Sequence, residues 1–182
     1  MVVIIRRAHL SDCARLVEVA AATFPLACPP GTPRADIDAF IADQLGTPSF
    51  TDYLTRDDAH IVVCAAGIRV VGYSLVLTKH AGAPDPSFGV QGHQTGYVSK
   101  FYLSPSLHGT GTAKRLMAAT VSNARGHGAD SLWLAVNQHN VRAHQFYLRC
   151  GFTPVGTKTM QVGHGLHCDH VMQYHPTTEP GL

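Results

Sequence analysis

The sequence has no cluster of lysine and arginine, no long apolar run and few charged residues of either sign. Its 14 Lys and Arg residues against 12 Asp and Glu residues give a formal net charge of +2, whereas a nucleic-acid partner requires a concentrated basic surface. No apolar run approaches the ~18 residues of a membrane-spanning helix, and the N-terminus has no charged-then-apolar signal pattern. We therefore predict neither a nucleic-acid partner nor a membrane association.

Pairs of cysteines at metal-binding or redox spacing are also missing. The five cysteines follow no CxxC pattern and are Cys13, Cys28, Cys64, Cys150 and Cys168. An odd and irregular set in a chain of this size is typical of reduced thiols, so the predicted localisation is cytoplasmic. Histidine, by contrast, is abundant: the twelve histidines make the net charge depend on pH between about 5 and 7.5.

The length of 182 residues suits one domain with a substantial core. We predict a single domain over residues 1–175 and a flexible C-terminal tail at 176–182. Apolar periodicity predicts an α/β order around one mixed sheet. The predicted strands are 2–7, 60–66, 69–78, 97–103, 131–137, 153–162 and 167–174. The predicted helices are 11–22, one with the apolar stripe Ile37, Phe40, Ile41 and Leu45, one after a glycine turn at 109–111, and 140–150.

Two further segments are interpreted from composition. Residues 80–94 are rich in glycine and proline without a period, which predicts a mobile loop. Phe24, Phe40, Phe50 and Tyr53 are aromatic residues that either line a substrate pocket or belong to the core.

The glycine turn is the centre of the chain. Gly109 and Gly111 separate a strand from a helix whose apolar face is Ala113, Leu116, Met117, Thr120, Val121 and Ala124. A helix N-terminus with unpaired N–H groups and a positive dipole end binds phosphate oxygens, although many such turns are only connections. Neither a nucleotide-triphosphate loop nor a complete Gly-x-Gly-x-x-Gly motif follows.

Downstream of this turn, Asn140, Ala143, Phe146, Tyr147, Gly151 and Phe152 form an Asn-x-x-Ala-x-x-Phe-Tyr-x-x-x-Gly-Phe pattern. This pattern and Ser106-Leu-His-Gly-Thr-Gly111 resemble the GCN5-related N-acetyltransferases, although Ser106 replaces the Gln or Arg of that family. The resemblance implies an α/β single domain: a mixed, mostly antiparallel sheet of about seven strands flanked by about four helices. The two ends of the chain are similar to a bacterial branch that includes spermidine/spermine N-acetyltransferases.

The resemblance also implies a reaction, in which an acetyl group moves from the cosubstrate acetyl-CoA to an amine by direct attack. Tyr147 is the implied general acid, and its phenol keeps its proton at neutral pH. The cofactor-binding residues that we predict on this basis are Phe101, Tyr102, Leu103, His108, Gly109, Thr110, Gly111, Thr112, Ala113, Asn137, Asn140 and Tyr147. The general base stays unassigned, because Tyr97-Val-Ser has no carboxylate; His93, His60 or a water chain are the candidates.

Two alternatives stay open. The segment 163–170 is rich in histidine, but strand alternation separates His167 from Cys168 and His170, so we predict no metal site. A non-catalytic acetyl-CoA sensor or partner-binding module on the same fold is the other alternative, which the missing carboxylate favours and Tyr147 opposes. The predicted partner is a small-molecule or peptide amine, with a polyamine among the candidates and homodimer formation left open.

Overall fold

The computed structural model describes residues 2–28, 31–162 and 165–175, with the backbone alone at 160–162 and 165–167. The predicted tail at 176–182 lies outside the described residues. Within them, seven strands form one sheet in the order β1-β2-β3-β4-β5-β7-β6. The strands are β1 Ile4–Arg7, β2 Ala59–Ala66, β3 Arg69–Leu77, β4 Thr95–Leu103, β5 Ser131–Asn137, β6 Thr153–Val162 and β7 Gly165–Tyr174. Neighbouring strands are antiparallel except for β4 and β5, which are parallel.

Helices cover both faces of the sheet. They are α1 Cys13–Thr23, α2 Arg34–Gln44, α3 Thr47–Thr55, α4 Thr112–Gly126 and α5 Val141–Arg149. On one face, Leu16 of α1 and Phe50 of α3 share a buried cluster with Tyr73 and Leu75 of β3. On the opposite face, α4 and α5 enclose a second cluster with β5 and Phe152. The predicted α/β fold with a mostly antiparallel sheet is confirmed.

The helical patterns hold to different degrees. Leu116, Met117, Thr120 and Ala124 of α4 are buried as the 3.6-residue period predicts. The stripe predicted for the second helix is weaker, because Phe40 is 42% exposed and α2 buries only Ile37. The segment around Phe50, for which no helix is predicted from the sequence, forms the helix α3.

The loop that was expected to be mobile is anchored to the sheet. It contains two short 3-10 turns, Lys79–Gly82 and Pro86–Phe88. The indole N–H of Trp133 donates to the Gly82 carbonyl at 2.8 Å. The Asp130 carboxylate accepts the N–H groups of His93 and Gln94 at 2.9 and 3.0 Å. These bonds satisfy loop backbone groups that a free loop would leave to water.

The two parallel strands separate soon after they meet. Thr95–Tyr97 of β4 pair with 131–133 of β5, and beyond them β4 pairs only with β3 while β5 pairs with β7. The register of β3 and β4 slips where Leu75 faces Lys100 and Val76 faces Val98, so Ser99 is the extra residue of a bulge. Because a bulge bends its strand and increases the local twist, it accounts for the departure of β4 from β5. A gap therefore opens between the C-terminal halves of β4 and β5.

Candidate active site

A cavity of about 350 Å³ lies beside the unpaired half of β4. Eight of the twelve predicted cofactor-binding residues line it: Phe101, Tyr102, Leu103, His108, Gly109, Ala113, Asn140 and Tyr147. Its other lining residues are Thr23, Leu26, Ala27, Arg142, Ala143, Phe146 and Arg149. Residues from α1 and the turn after it thus meet residues from α4 and α5, so the cavity connects the two faces of the sheet.

The backbone of β4 presents free hydrogen-bonding groups at this edge. The N–H of Ser104 donates to the Val71 carbonyl at 2.8 Å, so Ser104 and Val71 form a hydrogen-bonded pair across β4 and β3. Such pairs alternate along antiparallel strands. Tyr102 therefore bonds to β3, whereas the N–H and C=O groups of Phe101 and Leu103 point to the side that β5 has left. An extended ligand with amide groups can add to β4 there as a strand would.

The glycine turn offers donors in open space. Gly109 and Gly111 have φ values of +78° and +79°, and a Cβ built on either would meet no atom within 4 Å. Within the described part of the chain, no acceptor is recorded for the N–H groups of Gly109, Gly111, Ala113 and Lys114. These four donors surround the N-terminus of α4, where the helix dipole favours an anion. The arrangement fits a pyrophosphate without any side-chain contact.

Thr110 and Thr112 use their side chains to build the turn. The Thr110 hydroxyl donates to the Leu107 carbonyl at 2.7 Å and lies 2.8 Å from the Thr112 hydroxyl, which is buried. Asn137 lies outside the cavity lining: its Nδ2 donates to Asp169 at 3.3 Å, and its Oδ1 accepts from the His139 N–H. The side chains of these three predicted residues therefore stabilise the local backbone.

Asn140 and Tyr147 are placed by α5. The Oδ1 atom of Asn140 accepts the Ala143 N–H at 3.1 Å and caps the helix N-terminus, which leaves its Nδ2 donors for a ligand. Tyr147 is half-buried, with its ring 6.3 Å from that of Phe101 and 5.7 Å from that of Phe152. Burial raises the pKa of Tyr147 well above its usual value, and nearby Tyr102 adds to the effect. Its hydroxyl has no recorded partner among the described residues, so this proton is free for a ligand.

Cationic residues beside the cavity were missed by sequence reasoning. Arg142 and Arg149 line it, and Arg149 also lines a larger cavity of about 680 Å³ between α4 and α5, together with Lys114 and Arg125. Among residues 2–28, 31–162 and 165–175, none of these four cations is in an ion pair. Helical spacing indicates that Arg142 and Arg149, and Lys114 and Arg125, each share one face of a helix, because they are seven and eleven positions apart, but it does not indicate that the two faces meet. Together they create a positive groove that continues from the glycine turn.

The aromatic candidates divide between pocket and core. Phe50 is fully buried and belongs to the core. Phe24 stacks on Phe40 with ring centroids 4.4 Å apart and meets the edge of Tyr102 at 6.4 Å, beside the cavity residues Thr23 and Leu26. This side of the cavity is therefore apolar and aromatic.

The candidate bases do not reach the cavity. His60 is 3% exposed on β2, and its Nε2 lies 3.0 Å from the Thr78 hydroxyl. Burial, followed by the nearby charge of His127, lowers the pKa of His60 to about 4. His93 lines a separate cavity with Lys79. Neither histidine is among the described residues that line the cavity around Tyr147.

The sequence predicts neither a metal site nor a membrane association. No group of three or more His, Cys, Asp or Glu residues in the described ranges is arranged to hold a metal ion. His164 and the side chain of His167 lie outside what is described, so part of the histidine-rich segment is not covered. None of the described helices is long and apolar enough to cross a bilayer.

Comparison with known proteins adds three similarities. Residues 20–152 match the acetyltransferase (GNAT) family. An uncharacterized N-acetyltransferase of Mycobacterium tuberculosis is 37% identical over 163 residues, which are 90% of this chain and 97% of that protein. An aminoglycoside N(6')-acetyltransferase type 1 of Stenotrophomonas maltophilia is 28% identical over 96 residues, 53% of this chain and 60% of that protein.

The fold is also shared with solved structures. The crystal structure of the PaiA N-acetyltransferase from Thermoplasma acidophilum, in complex with coenzyme A, superposes with a TM-score of 0.76. That comparison covers 97% of this chain and all of the other, at 17% sequence identity.

Proposed function

This chain belongs to the acetyltransferase (GNAT) family, and we propose that it transfers an acetyl group to a primary amine of a small molecule or a peptide. It is an acyltransferase that depends on acetyl-CoA, the cosubstrate of the family. The observation that carries the proposal is the convergence of eight predicted residues on one cavity at the unpaired edge of β4. We assign this activity to one domain over residues 1–175, because the last described strand ends at Tyr174.

Binding of the cofactor is proposed to rest on backbone groups and on the positive groove. The free N–H groups at 109–114 would hold the pyrophosphate, and Phe101 and Leu103 would bond to the pantetheine amides. Lys114 lies beside these donors, and Arg149 and Arg125 line the same groove farther along α4; none of the three is in an ion pair within the described residues. The dipole of α4 and the cationic side chains of the groove therefore both favour a ligand that carries several phosphate charges.

Tyr147 is proposed to protonate the leaving thiolate. Bound acetyl-CoA supplies a thioester acyl group and a thiol leaving group. The Tyr147 hydroxyl is available in the cavity, and its raised pKa keeps it protonated at neutral pH. A leaving thiolate has an ordinary pKa near ~8.5, below that of the phenol, so the transfer is completed only as the attacking amine loses a proton and Tyr147 is reprotonated. The free hydroxyl also favours an enzyme over a non-catalytic sensor.

The acceptor is proposed to enter from the side of α1. The cavity is lined there by Thr23, Leu26, Ala27 and Tyr102, whereas the groups assigned to the cofactor lie on the side of α4 and α5. Resemblance to the spermidine/spermine branch and similarity to an aminoglycoside acetyltransferase make polyamines and aminoglycosides candidates. Amino acids and peptide N-termini are further candidates, and their charge differs from that of polyamines and aminoglycosides.

The test is acetyl-CoA consumption with amines of all four classes, in wild-type protein and in Tyr147→Phe. We expect turnover with at least one amine, and a loss of ~10²–10⁴-fold in kcat for the variant. Acetyl-CoA affinity and melting temperature should change little, since one oxygen is removed. Tyr73→Phe is the matched control, because the Tyr73 hydroxyl is buried with no hydrogen-bond partner among the described residues and Tyr73 does not line the cavity. Full turnover by Tyr147→Phe would refute the assignment of the acid.

A further inference from the structure

Lys100 is a half-buried lysine on the acceptor side of the gap. Lys100 faces Leu75 of β3, and Tyr102 faces Tyr73. Leu75 and Tyr73 both belong to the cluster beneath α1 and α3, so the side chain of Lys100 lies on the same face as that of the cavity residue Tyr102. Its position next to the bulge places it on the half of β4 that β5 has left.

Within the described ranges, no carboxylate forms an ion pair with the ammonium group of Lys100. The ion pairs found within the described ranges join Asp residues to Arg6, Arg34, Arg56 and Lys79. The single contact recorded for Lys100 in that part of the chain is the face of the Tyr53 ring, 5.4 Å from its Nζ atom. Burial lowers the pKa of Lys100, and no nearby acid opposes that effect. A desolvated cation without a counter-ion is costly, and an anion that arrives with a ligand would remove the cost.

We propose that Lys100 binds an anionic group of the acceptor, a carboxylate or a phosphate, so that the preferred acceptors are amines that also carry negative charge. This inference rests on the proposed acetyl transfer and names the class of its acceptor. It argues against a purely cationic polyamine, which would bring further positive charge to an unpaired lysine.

The distances fit an acceptor of modest size. Two residues along a strand span ~6.6 Å, so the backbone of Lys100 is about that far from Tyr102, which lines the cavity. One small acceptor could therefore place its amine in the cavity and its anionic group at Lys100.

Other groups around Lys100 suit an anion. Burial raises the pKa values of Tyr53 and Tyr102, so both hydroxyls stay protonated and can donate hydrogen bonds. Asp52 next to Tyr53 is engaged by Arg56 at 3.2 Å, and Arg56 also binds Asp58. The carboxylates of Asp52 and Asp58 are thus both paired with Arg56.

The experiment compares acceptor pairs in which one member carries an anionic group that the other lacks. One pair is an amino acid and its amide, and the other is phosphoethanolamine and ethanolamine. We expect the wild type to prefer the anionic member at least tenfold in kcat/KM. Lys100→Met should abolish the preference through KM, and Lys100→Arg should retain part of it. The pair with the larger preference identifies carboxylate or phosphate as the group bound.

Lys158 provides a matched control. It also lies over an aromatic ring, 5.8 Å from Phe88, but on β6, three strands from β4. Lys158→Met should therefore keep the preference. Because Lys100 is in no ion pair with the described residues, Lys100→Met should not lower the melting temperature, and acetyl-CoA affinity by calorimetry should be unchanged.

The outcomes separate this inference from the proposed function. Equal kcat/KM for charged and uncharged members, or turnover of polyamines alone, would overturn the role of Lys100 and leave acetyl transfer intact. If no amine is acetylated, the proposed function fails. Calorimetric titration of the anionic acceptors into protein saturated with coenzyme A then decides the inference: loss of their binding in Lys100→Met supports it, and unchanged or absent binding overturns it.

Discussion

Replacement of Gly109 by alanine tests whether the glycine turn binds phosphate or only connects β4 to α4. Gly109 lines the cavity, has a φ of +78°, and has no atom within 4 Å of the position its Cβ would take. Alanine therefore meets no steric clash inside the protein. The added methyl group enters the open space into which the free N–H groups of the turn are proposed to draw the pyrophosphate.

The expected effects of Gly109→Ala on stability and on acetyl-CoA affinity follow from two separate free-energy costs. The left-handed conformation costs an L-residue roughly 1–2 kcal/mol, which in a chain of this length lowers the melting temperature by roughly 2–8 °C. The second cost arises only with the ligand bound, because a methyl group keeps the phosphate oxygens from the backbone. We expect the dissociation constant of acetyl-CoA to rise at least tenfold, or ~1.4 kcal/mol.

Gly67→Ala separates these two costs. Gly67, between β2 and β3, also has a positive φ, +59°, and nothing within 4 Å of its Cβ position. Both variants should lose similar stability by thermal melting, and only Gly109→Ala should lose affinity for acetyl-CoA by calorimetry. If the two variants bind acetyl-CoA equally well, the turn is only a connection and the phosphate assignment is wrong.

Three further predictions concern stability and metals. His60 has a pKa of about 4 in the folded protein and ~6.5 in the unfolded chain. Between these two pH values the unfolded state therefore binds more protons than the folded state. The free energy of unfolding should fall by up to ~3 kcal/mol from pH 6.5 to pH 4, and His60→Gln should flatten that slope in denaturant titrations. Asp12, held by Arg6 at 2.7 and 2.8 Å, has a pKa of about 2. Its contribution of ~2 kcal/mol is present above pH ~4 and lost towards pH 2, so Asp12→Asn should destabilise at pH 7 and not at pH 2. Protein purified without a histidine tag should contain no stoichiometric zinc by elemental analysis; one equivalent lost in Cys168→Ser would contradict this.

The cavity residues in the glycine turn and in α5 could be predicted because their sequence signals are local. The periodicity of α4, the glycines before it and the pattern from Asn140 to Phe152 each lie within one short segment. Helical periodicity indicates which face of a helix is buried, and eight of the twelve predicted cofactor-binding residues line the cavity. Asn137 lies outside the lining because it ends β5, where its amide bonds to Asp169 of β7, a contact that no local pattern reveals.

The gap itself could not be predicted, because it depends on pairing between distant strands. Alternation along β4 indicates a strand but not its register, and one extra residue at Ser99 changes which side chains share a face. The same limit applies to the positive groove, which appears only when α4 and α5 lie side by side. The residues of α5 at 142 and 149 share a face by spacing, yet spacing does not say what that face meets.

The bulge also explains how one strand can serve two substrates. Phe101 and Leu103 turn their backbone groups to the gap, where the cofactor is proposed to bind in the manner of an added strand. Lys100 and Tyr102 turn their side chains to the side of α1 and α3, where the acceptor is proposed to enter. Backbone N–H and C=O groups are the same for every sequence, so the proposed binding of the cofactor depends on the course of the backbone and not on the side chains of β4. Side chains at positions such as 100 are free to vary without disturbing that shape, and the choice of amine is therefore expected to reside there.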